Sequence, residues 1–143
     1  GRADGPPPPV DLDHEKRVGD HVRSLIASGI VTAAHDVSDG GLAIALAEMA
    51  MASGIGAQLD AAPSDIPAHA HWFGEDQARY LITVPAPQVD AVLARARAAN
   101  VPVWMIGRTG GDTLTLPGER PILVTILREC FESWLPAYMA GEL

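Results

Sequence analysis

Cysteine is almost absent from this chain of 143 residues, and the single Cys130 excludes an internal disulfide. A secreted scaffold held together by disulfides is therefore excluded, and a reducing cytoplasm is the simplest location. The neighbours of Cys130 at helical spacing are the apolar Leu127, Phe131 and Trp134. Because apolar surroundings disfavour the reactive thiolate, we expect a buried and unreactive side chain.

Basic residues are also scarce, since 10 Lys and Arg stand against 18 Asp and Glu, for a formal charge of -8. This charge repels phosphate backbones, and no basic stretch with interleaved aromatics offsets it, so nucleic acid is not a predicted partner. The longest apolar run, 40–56, is interrupted by Glu48 and predicts no membrane span. The histidines have no cysteine companion and no HExxH spacing, so a zinc site is not predicted either.

Proline is concentrated at the start of the chain. The first ten residues, GRADGPPPPV, contain no pattern that forms a core, and four consecutive prolines favour an extended polyproline conformation. We therefore predict a Pro-rich linker over 1–10 and one folded domain over 11–143. A chain that begins without methionine, behind such a linker, is interpreted as a domain cut from a longer protein.

The rest of the sequence alternates between helical and strand periodicity. The predicted elements are a helix over 11–29, a buried strand within 30–36, a central helix over 42–54 that follows Gly40 and Gly41 and is closed by Gly54 and Gly56, strands over 56–60 and 80–84, a helix over 87–100 with Asn100 at its C-terminal end, a hairpin over 101–116 that turns at Gly110 and Gly111, a short strand over 121–124, and a last helix capped by Thr125. This order predicts the fold class α/β (α+β), with a single mixed sheet covered by helices.

The stretch AAHDVSDGGLAIALAEMA, residues 33–50, joins a strand to the central helix through a polar turn. Helix N-termini with nearby glycines bind anions, but Asp36 and Asp39 would repel a bare phosphate. The conflict disappears if a divalent cation bridges the two groups, if the carboxylates accept hydrogen bonds from ribose hydroxyls, or if Asp39 is the N-cap of the helix. We expect Asp39 to be the cap, whereas His35 and Asp36 are either ligand-facing or structural.

A second polar cluster lies in FGEDQARYL, where Glu75, Gln77 and Arg79 occupy alternate positions. If this segment is extended, all three side chains project from one face. The alternative interpretation is a solvated strand edge, which is the more common meaning of such a pattern.

HDVSDGGLAIALAEMA, FGEDQARYLITV, the lead-in DLDHEKRVGDHVRSLI and the ending LPAYMAGEL together carry a family resemblance. Over nearly all of residues 7–143 the chain resembles the C-terminal part of bacterial phosphoribosylformylglycinamidine synthase subunit II. That part is a domain of the type shared with aminoimidazole ribonucleotide synthetase. The resemblance therefore implies an aminoimidazole ribonucleotide synthetase C-terminal-domain-like fold.

The resemblance also implies a function for the parent enzyme, a ligase of purine biosynthesis that converts formylglycinamide ribonucleotide, ATP and ammonia to formylglycinamidine ribonucleotide. ATP and Mg²⁺ are its implied cofactors, and none is assigned to this chain by itself. The implied partners are the upstream domains of the same chain, a glutaminase subunit that releases the ammonia, and a small accessory subunit, all in the cytoplasm.

For this chain the resemblance implies cleft-facing residues but no catalytic residue, and it leaves any metal ligand unassigned. Two alternatives stay open: a non-catalytic structural or nucleotide-binding assembly module of the same enzyme, and a sibling aminoimidazole ribonucleotide synthetase. The implied cleft residues are His35, Asp36, Ser38, Asp39, Gly40, Gly41, Glu75, Gln77 and Arg79.

Overall fold

Helices and short strands alternate along the chain in a computed structural model that describes residues 10–60 and 66–142. The helices are α1 (Leu12–Ala27), α2 (Gly41–Ser53), α3 (Ala68–Phe73), α4 (Val89–Ala98, after a 3-10 turn at Ala86–Gln88) and α5 (Val124–Ala140). The strands are β1 (Ala33–Asp36), β2 (Ala57–Leu59), β3 (Tyr80–Thr83), β4 (Gly107–Thr109), β5 (Thr113–Thr115) and β6 (Ile122–Leu123). The mixed α/β class is thereby confirmed.

The strands form two sheets among the described residues, where the sequence predicted a single one. Strands β1 and β3 pair antiparallel, while the other sheet has the order β4, β2, β5, β6 and is mixed, with β2 parallel to β5 and antiparallel to β4. The predicted hairpin of β4 and β5 is wrong, because β2 lies between them. Two backbone hydrogen bonds fix the position of β2: the N–H of Gly56 donates to the Gly111 carbonyl at 2.9 Å, and the N–H of Gly110 donates to the Gly56 carbonyl at 2.8 Å.

Close backbone approach explains the glycine that precedes β2. A Cβ atom on Gly56 would lie 2.1 Å from the carbonyl oxygen of Thr113. Only glycine therefore allows the chain to enter the gap between β4 and β5.

The ends of α1 and α4 follow from local sequence signals. Asp11 is the N-cap of α1, and its carboxylate accepts a hydrogen bond of 2.9 Å from the backbone N–H of His14. Asn100 follows α4 with a φ of 52°, the left-handed conformation that asparagine tolerates at the end of a helix. Both predicted helices are confirmed, each within a few residues at its ends.

Helix α2 is central, as predicted, because it contacts α3, α5 and β1. Its buried side chains join a core that extends over both sheets; the core residues are Val37, Leu42, Ala45, Ala57, Leu59, Trp72, Leu81 and Leu114. Strand β1 is different, since Ala33, Ala34 and Asp36 are exposed and His35 is half-buried. The prediction of a buried strand there is wrong. Strand β1 pairs with β3, and no further layer within residues 10–60 and 66–142 covers its outer face.

The last helix lies on the surface. Its N-cap is Leu123, at the end of β6, and no side chain caps it, so the prediction of a Thr125 cap is wrong. Cys130 is exposed, so the prediction of a buried thiol is also wrong. Of the apolar neighbours of Cys130, only Leu127 packs against the core. Helix α5 buries Val124 and leaves most of its large apolar side chains exposed: Ile126, Phe131, Trp134, Leu135, Tyr138 and Met139.

The predicted linker falls on residues 1–9, outside the described part of the chain, and on Val10. Within the ranges 10–60 and 66–142, no helix is both long enough and apolar enough to cross a bilayer.

Candidate functional site

The strand-to-helix junction is built by backbone conformation. Gly40 is the N-cap of α2 with a φ of 80°, Gly41 has a φ of 70°, and no side chain caps the helix. The backbone N–H of Gly41 donates to the carbonyl of Ser38 at 2.9 Å. The left-handed conformations of Gly40 and Gly41 place the N-cap at Gly40, one position after Asp39, and the Asp39 carboxylate lies outside the turn. The prediction that Asp39 is the cap is therefore wrong.

A carboxylate from another part of the chain occupies the start of α2. Glu75 Oε1 accepts a hydrogen bond of 2.8 Å from the backbone N–H of Gly40. A negative charge at a helix N-terminus is stabilised by the unpaired N–H groups and by the helix dipole. The protein thus supplies its own anion to the Gly40 N–H.

The glycines at this junction allow contact between two backbones. A Cβ on Gly41 would lie 2.7 Å from the carbonyl carbon of Phe73 and 2.9 Å from the carbonyl oxygen of Gly74. These distances are too short for any side chain to replace the hydrogen of Gly41 without moving the chain. The end of α3 therefore packs directly on the start of α2, and this packing delivers Glu75 to Gly40.

The segment 74–79 is not extended throughout, because residues 77–78 form a turn, so the condition under which Glu75, Gln77 and Arg79 would share one face is not met. Ala78 has a φ of 59°, and Arg79 Nη1 donates back to the carbonyl of Gly74 at 3.1 Å. The same Nη1 lies 3.5 Å from Asp76 Oδ2. Because the chain reverses here, Glu75 reaches the junction while Gln77 and Arg79 line a cavity between α1, β3 and the segment 101–106.

The His35 side chain lies neither at the junction nor in the cavity. Its Nε2 lies 3.1 Å from Glu48 Oε2 on α2, and its Nδ1 lies 2.5 Å from the carbonyl oxygen of Asp36. Both partners are acceptors, so the ring satisfies both only when both of its nitrogens carry protons. His35 lines a groove between α2 and α5, whereas the Asp36 carboxylate is 65% exposed.

Sequence reasoning missed the role of Glu48. The available signal was a single charged residue in the otherwise apolar helix 41–53, a placement that a buried or half-buried partner explains. The nine predicted residues therefore do not share one cleft. The junction holds Ser38, Asp39, Gly40, Gly41 and Glu75, the cavity holds Gln77 and Arg79, and His35 faces the groove beside α5, with Asp36 exposed at the end of β1.

Two further histidines face the cavity that Gln77 and Arg79 line. The pKa of His21 is lowered, first by desolvation and then by the positive charge of Arg95. The pKa of His71 is lowered by the same first cause and by the charge of Arg79. Near neutral pH both rings are therefore uncharged and able to donate from one nitrogen and accept at the other.

The described ranges contain no group of three or more His, Cys, Asp or Glu side chains placed to hold a metal ion. Mg²⁺ in nucleotide sites is held by one or two carboxylates together with phosphate oxygens. The described residues therefore do not by themselves form a metal cage.

The fold and the junction together define a mixed α/β domain with a glycine-rich turn between a strand and its central helix. The chain belongs to the family described as AIR synthase related protein, C-terminal domain, whose model matches residues 1–116. The family membership expected from the motifs is thus confirmed.

Two relatives cover nearly the whole chain. Phosphoribosylformylglycinamidine synthase subunit PurL of Bradyrhizobium sp. (strain ORS 278) is 63% identical over 141 residues, which are 99% of this chain and 19% of that protein. The subunit of the same name from Azorhizobium caulinodans is 61% identical over the same shares of the two chains. The chain thus spans about a fifth of the length of the relatives that it matches.

Solved structures share the fold. Phosphoribosylformylglycinamidine synthase II of Thermotoga maritima superposes with a TM-score of 0.71 at 17% identity, over 85% of this chain and 22% of that one. A structure of PurLQS from that organism has a TM-score of 0.68 at 17% identity, over 80% and 21%. T. maritima PurL complexed with ATP has a TM-score of 0.66 at 16% identity, over 79% and 21%.

Proposed function

We propose that the chain is the C-terminal domain of a phosphoribosylformylglycinamidine synthase. The parent enzyme would convert formylglycinamide ribonucleotide, ATP and ammonia to formylglycinamidine ribonucleotide, with release of ADP and phosphate. The observation that carries the proposal is the 63% identity over 141 residues with a subunit of that name.

Within that enzyme we propose a divided role for six of the nine candidate residues. Gly40, Gly41 and Glu75 hold the junction through the 2.8 Å hydrogen bond and the backbone packing described above. Asp36, Ser38 and Asp39 remain available to a ligand, with carboxylate oxygens suited to ribose hydroxyls or to a metal-bound phosphate. No residue of this chain is proposed as a catalytic group.

The assay for this proposal uses the full-length protein with each candidate substrate. ADP release should depend on both formylglycinamide ribonucleotide and ammonia, and the product should carry the new amidine nitrogen when ¹⁵N-ammonia is supplied. Formylglycinamidine ribonucleotide offered with ATP alone is the matched control for a sibling aminoimidazole ribonucleotide synthetase. ADP release with that substrate, and none with the first pair, would refute the proposed function.

A second candidate function is a non-catalytic assembly module of the same enzyme. The observation that favours it is the hydrogen bond from the Gly40 N–H to Glu75, since the protein supplies its own carboxylate at the start of α2. Titration of the full-length protein with ADP and Mg²⁺, before and after Asp36→Asn, distinguishes the two functions. Unchanged nucleotide affinity and unchanged KM values in the variant favour the module, whereas a weakened affinity places Asp36 at a ligand.

The cofactor and the partners form the last part of the proposal. T. maritima PurL has been crystallised with ATP, and a PurLQS structure exists, which supports ATP use and association with other subunits. We infer that a glutaminase subunit supplies the ammonia and that a small accessory subunit joins the assembly. Co-purification of the full-length protein with tagged candidate subunits tests this inference. Mg²⁺ and a cytoplasmic location remain predictions from the resemblance.

A further inference from the structure

A cavity of about 320 Å³ lies between α1, β3 and the segment 101–106, and Ser38, Asp39, Gly40 and Gly41 do not line it. Cavities of this size are at the lower end of the range that holds small ligands. Most of the wall is apolar and comes from the two core clusters and α1. The apolar wall includes Val18, Val22, Leu25, Leu81, Val92 and Val101.

The wall carries one permanent charge, the guanidinium of Arg79. His14, His21, His71 and Arg79 line the cavity, and no Asp or Glu does, although the whole chain carries a charge of -8. Asp76 lies outside the wall, 3.5 Å from Arg79 Nη1, with 60% of its side chain exposed. Because solvent screens the Asp76 carboxylate, it offsets the charge of Arg79 only in part. The Arg79 end of the mostly apolar cavity therefore stays positive.

One imidazole at this cavity has a buried nitrogen without a polar partner, and a second ring in the wall is nearly buried. His21 Nε2 is buried without a hydrogen-bond partner in the described part of the chain. His71 is only 7% exposed, and none of the side-chain hydrogen bonds within residues 10–60 and 66–142 involves its ring. Buried polar atoms are normally paired, so each such ring in a native structure calls for an explanation.

Arg79 has donors to spare beside His71. Its recorded contacts, to the Gly74 carbonyl and to Asp76, both use Nη1. A guanidinium has five N–H donors, and a carboxylate accepts two of them in a charge-assisted pair. We propose that the cavity binds a small amphipathic anion, with an apolar body about the size of a bicyclic ring against Val22 and Val101 and a single carboxylate beside Arg79 and His71.

The test uses full-length protein and two probes of the same shape, 1-naphthoate and the uncharged 1-naphthamide. Calorimetry should give saturable binding of one naphthoate per chain, with an affinity about tenfold higher than that of naphthamide, or about 1.4 kcal/mol. Val22→Phe, which fills the cavity, should abolish the binding of both probes. Val89→Phe on α4, outside the cavity wall, is the matched control and should retain it.

A second variant separates recognition of charge from loss of fold. Arg79→Gln should weaken naphthoate about tenfold and leave naphthamide unchanged, which a merely unfolded variant would not do. In crystals of the full-length wild-type protein, 4-bromo-1-naphthoate should give its anomalous bromine peak inside the cavity, beside Trp104. Equal binding of the two probes, no saturable binding, or a peak elsewhere, such as on α5, would overturn the proposal. None of these measurements depends on synthase activity.

Discussion

At the scale of single residues, the junction depends on atoms that are far apart in the sequence. Gly40 and Glu75 are 35 positions apart and are joined by one hydrogen bond. Gly41 is required because of a backbone that belongs to α3. The motifs HDVSDGG and FGEDQAR are therefore two halves of one structural contact, and substitutions at either half should affect both.

Substitution of Gly41 by alanine should be much more costly than the same change at Gly29. Both residues have a φ near 70°, but a Cβ on Gly29 meets nothing within 4 Å, whereas one on Gly41 meets the Phe73 backbone at 2.7 Å. We expect Gly29→Ala to cost about 1 kcal/mol from conformational strain alone. Gly41→Ala should cost about 3 kcal/mol, since overpacking adds to the strain. Urea unfolding of the two variants measures the difference, and equal losses would contradict the proposed packing.

Glu75→Gln tests the carboxylate at the start of α2. The amide still accepts a hydrogen bond from Gly40 but loses the attraction to the helix N-terminus, so we expect a loss of about 0.5–1 kcal/mol in the free energy of unfolding. The loss should shrink in high salt because the site is exposed to solvent. Glu119→Gln, at an exposed loop position, is the control. A salt-independent loss would point to packing instead of charge.

At the scale of elements, α5 is attached more weakly than any buried helix of this fold would be. It contacts α2 and β6 and buries only Val124. The guanidinium of Arg128 donates a hydrogen bond to the carbonyl of Met51, in the last turn of α2. This contact ties the surface helix to the central one at an end where unpaired carbonyls favour a cation.

Removal of that contact should destabilise the chain locally. Arg128→Met keeps most of the apolar stem and removes the donor, and we expect a loss of about 1 kcal/mol in the free energy of unfolding. Hydrogen exchange should rise in α5 more than in α2, because α2 remains packed on α3 and β1. Arg120→Met, an exposed loop residue, should change neither quantity. Uniform exchange across both helices would argue against a local tie.

At the scale of the whole molecule, buried neutral imidazoles make stability depend on pH. The pKa values of His21 and His71 lie below the usual 6.5, so between the folded and unfolded values the unfolded chain binds more protons. Stability is then complete above pH 6.5 and is lost as the pH falls through the folded pKa values. The free energy of unfolding should therefore fall between pH 7.5 and 5.5.

His71→Gln should flatten part of that pH dependence, because it removes one of the two groups. His69→Gln on the same short helix is the matched control, since His69 is exposed. Unfolding midpoints in urea at several pH values provide the measurement. An unchanged slope in His71→Gln, with a reduced slope in His69→Gln, would show that the wrong ring had been identified.

The sequence alone determined four of the five described helices, the class of fold and the family, because these depend on local information. Asp11 caps α1, Gly54 ends α2 and the alternation of Ala57 and Leu59 marks β2, each through residues within a few positions. The motifs at 35–50 and 73–84 were likewise enough to indicate the family. These local signals are the same whichever tertiary arrangement the chain adopts.

Only the tertiary structure decided which strands pair and where the polar side chains point. The insertion of β2 between β4 and β5, the pairing of His35 with Glu48 and the reach of Glu75 to Gly40 join segments that periodicity treats separately. The exposure of Cys130 likewise depends on which face of α5 meets α2. These outcomes are decided by packing and hydrogen bonding between distant segments, and these interactions override local propensity.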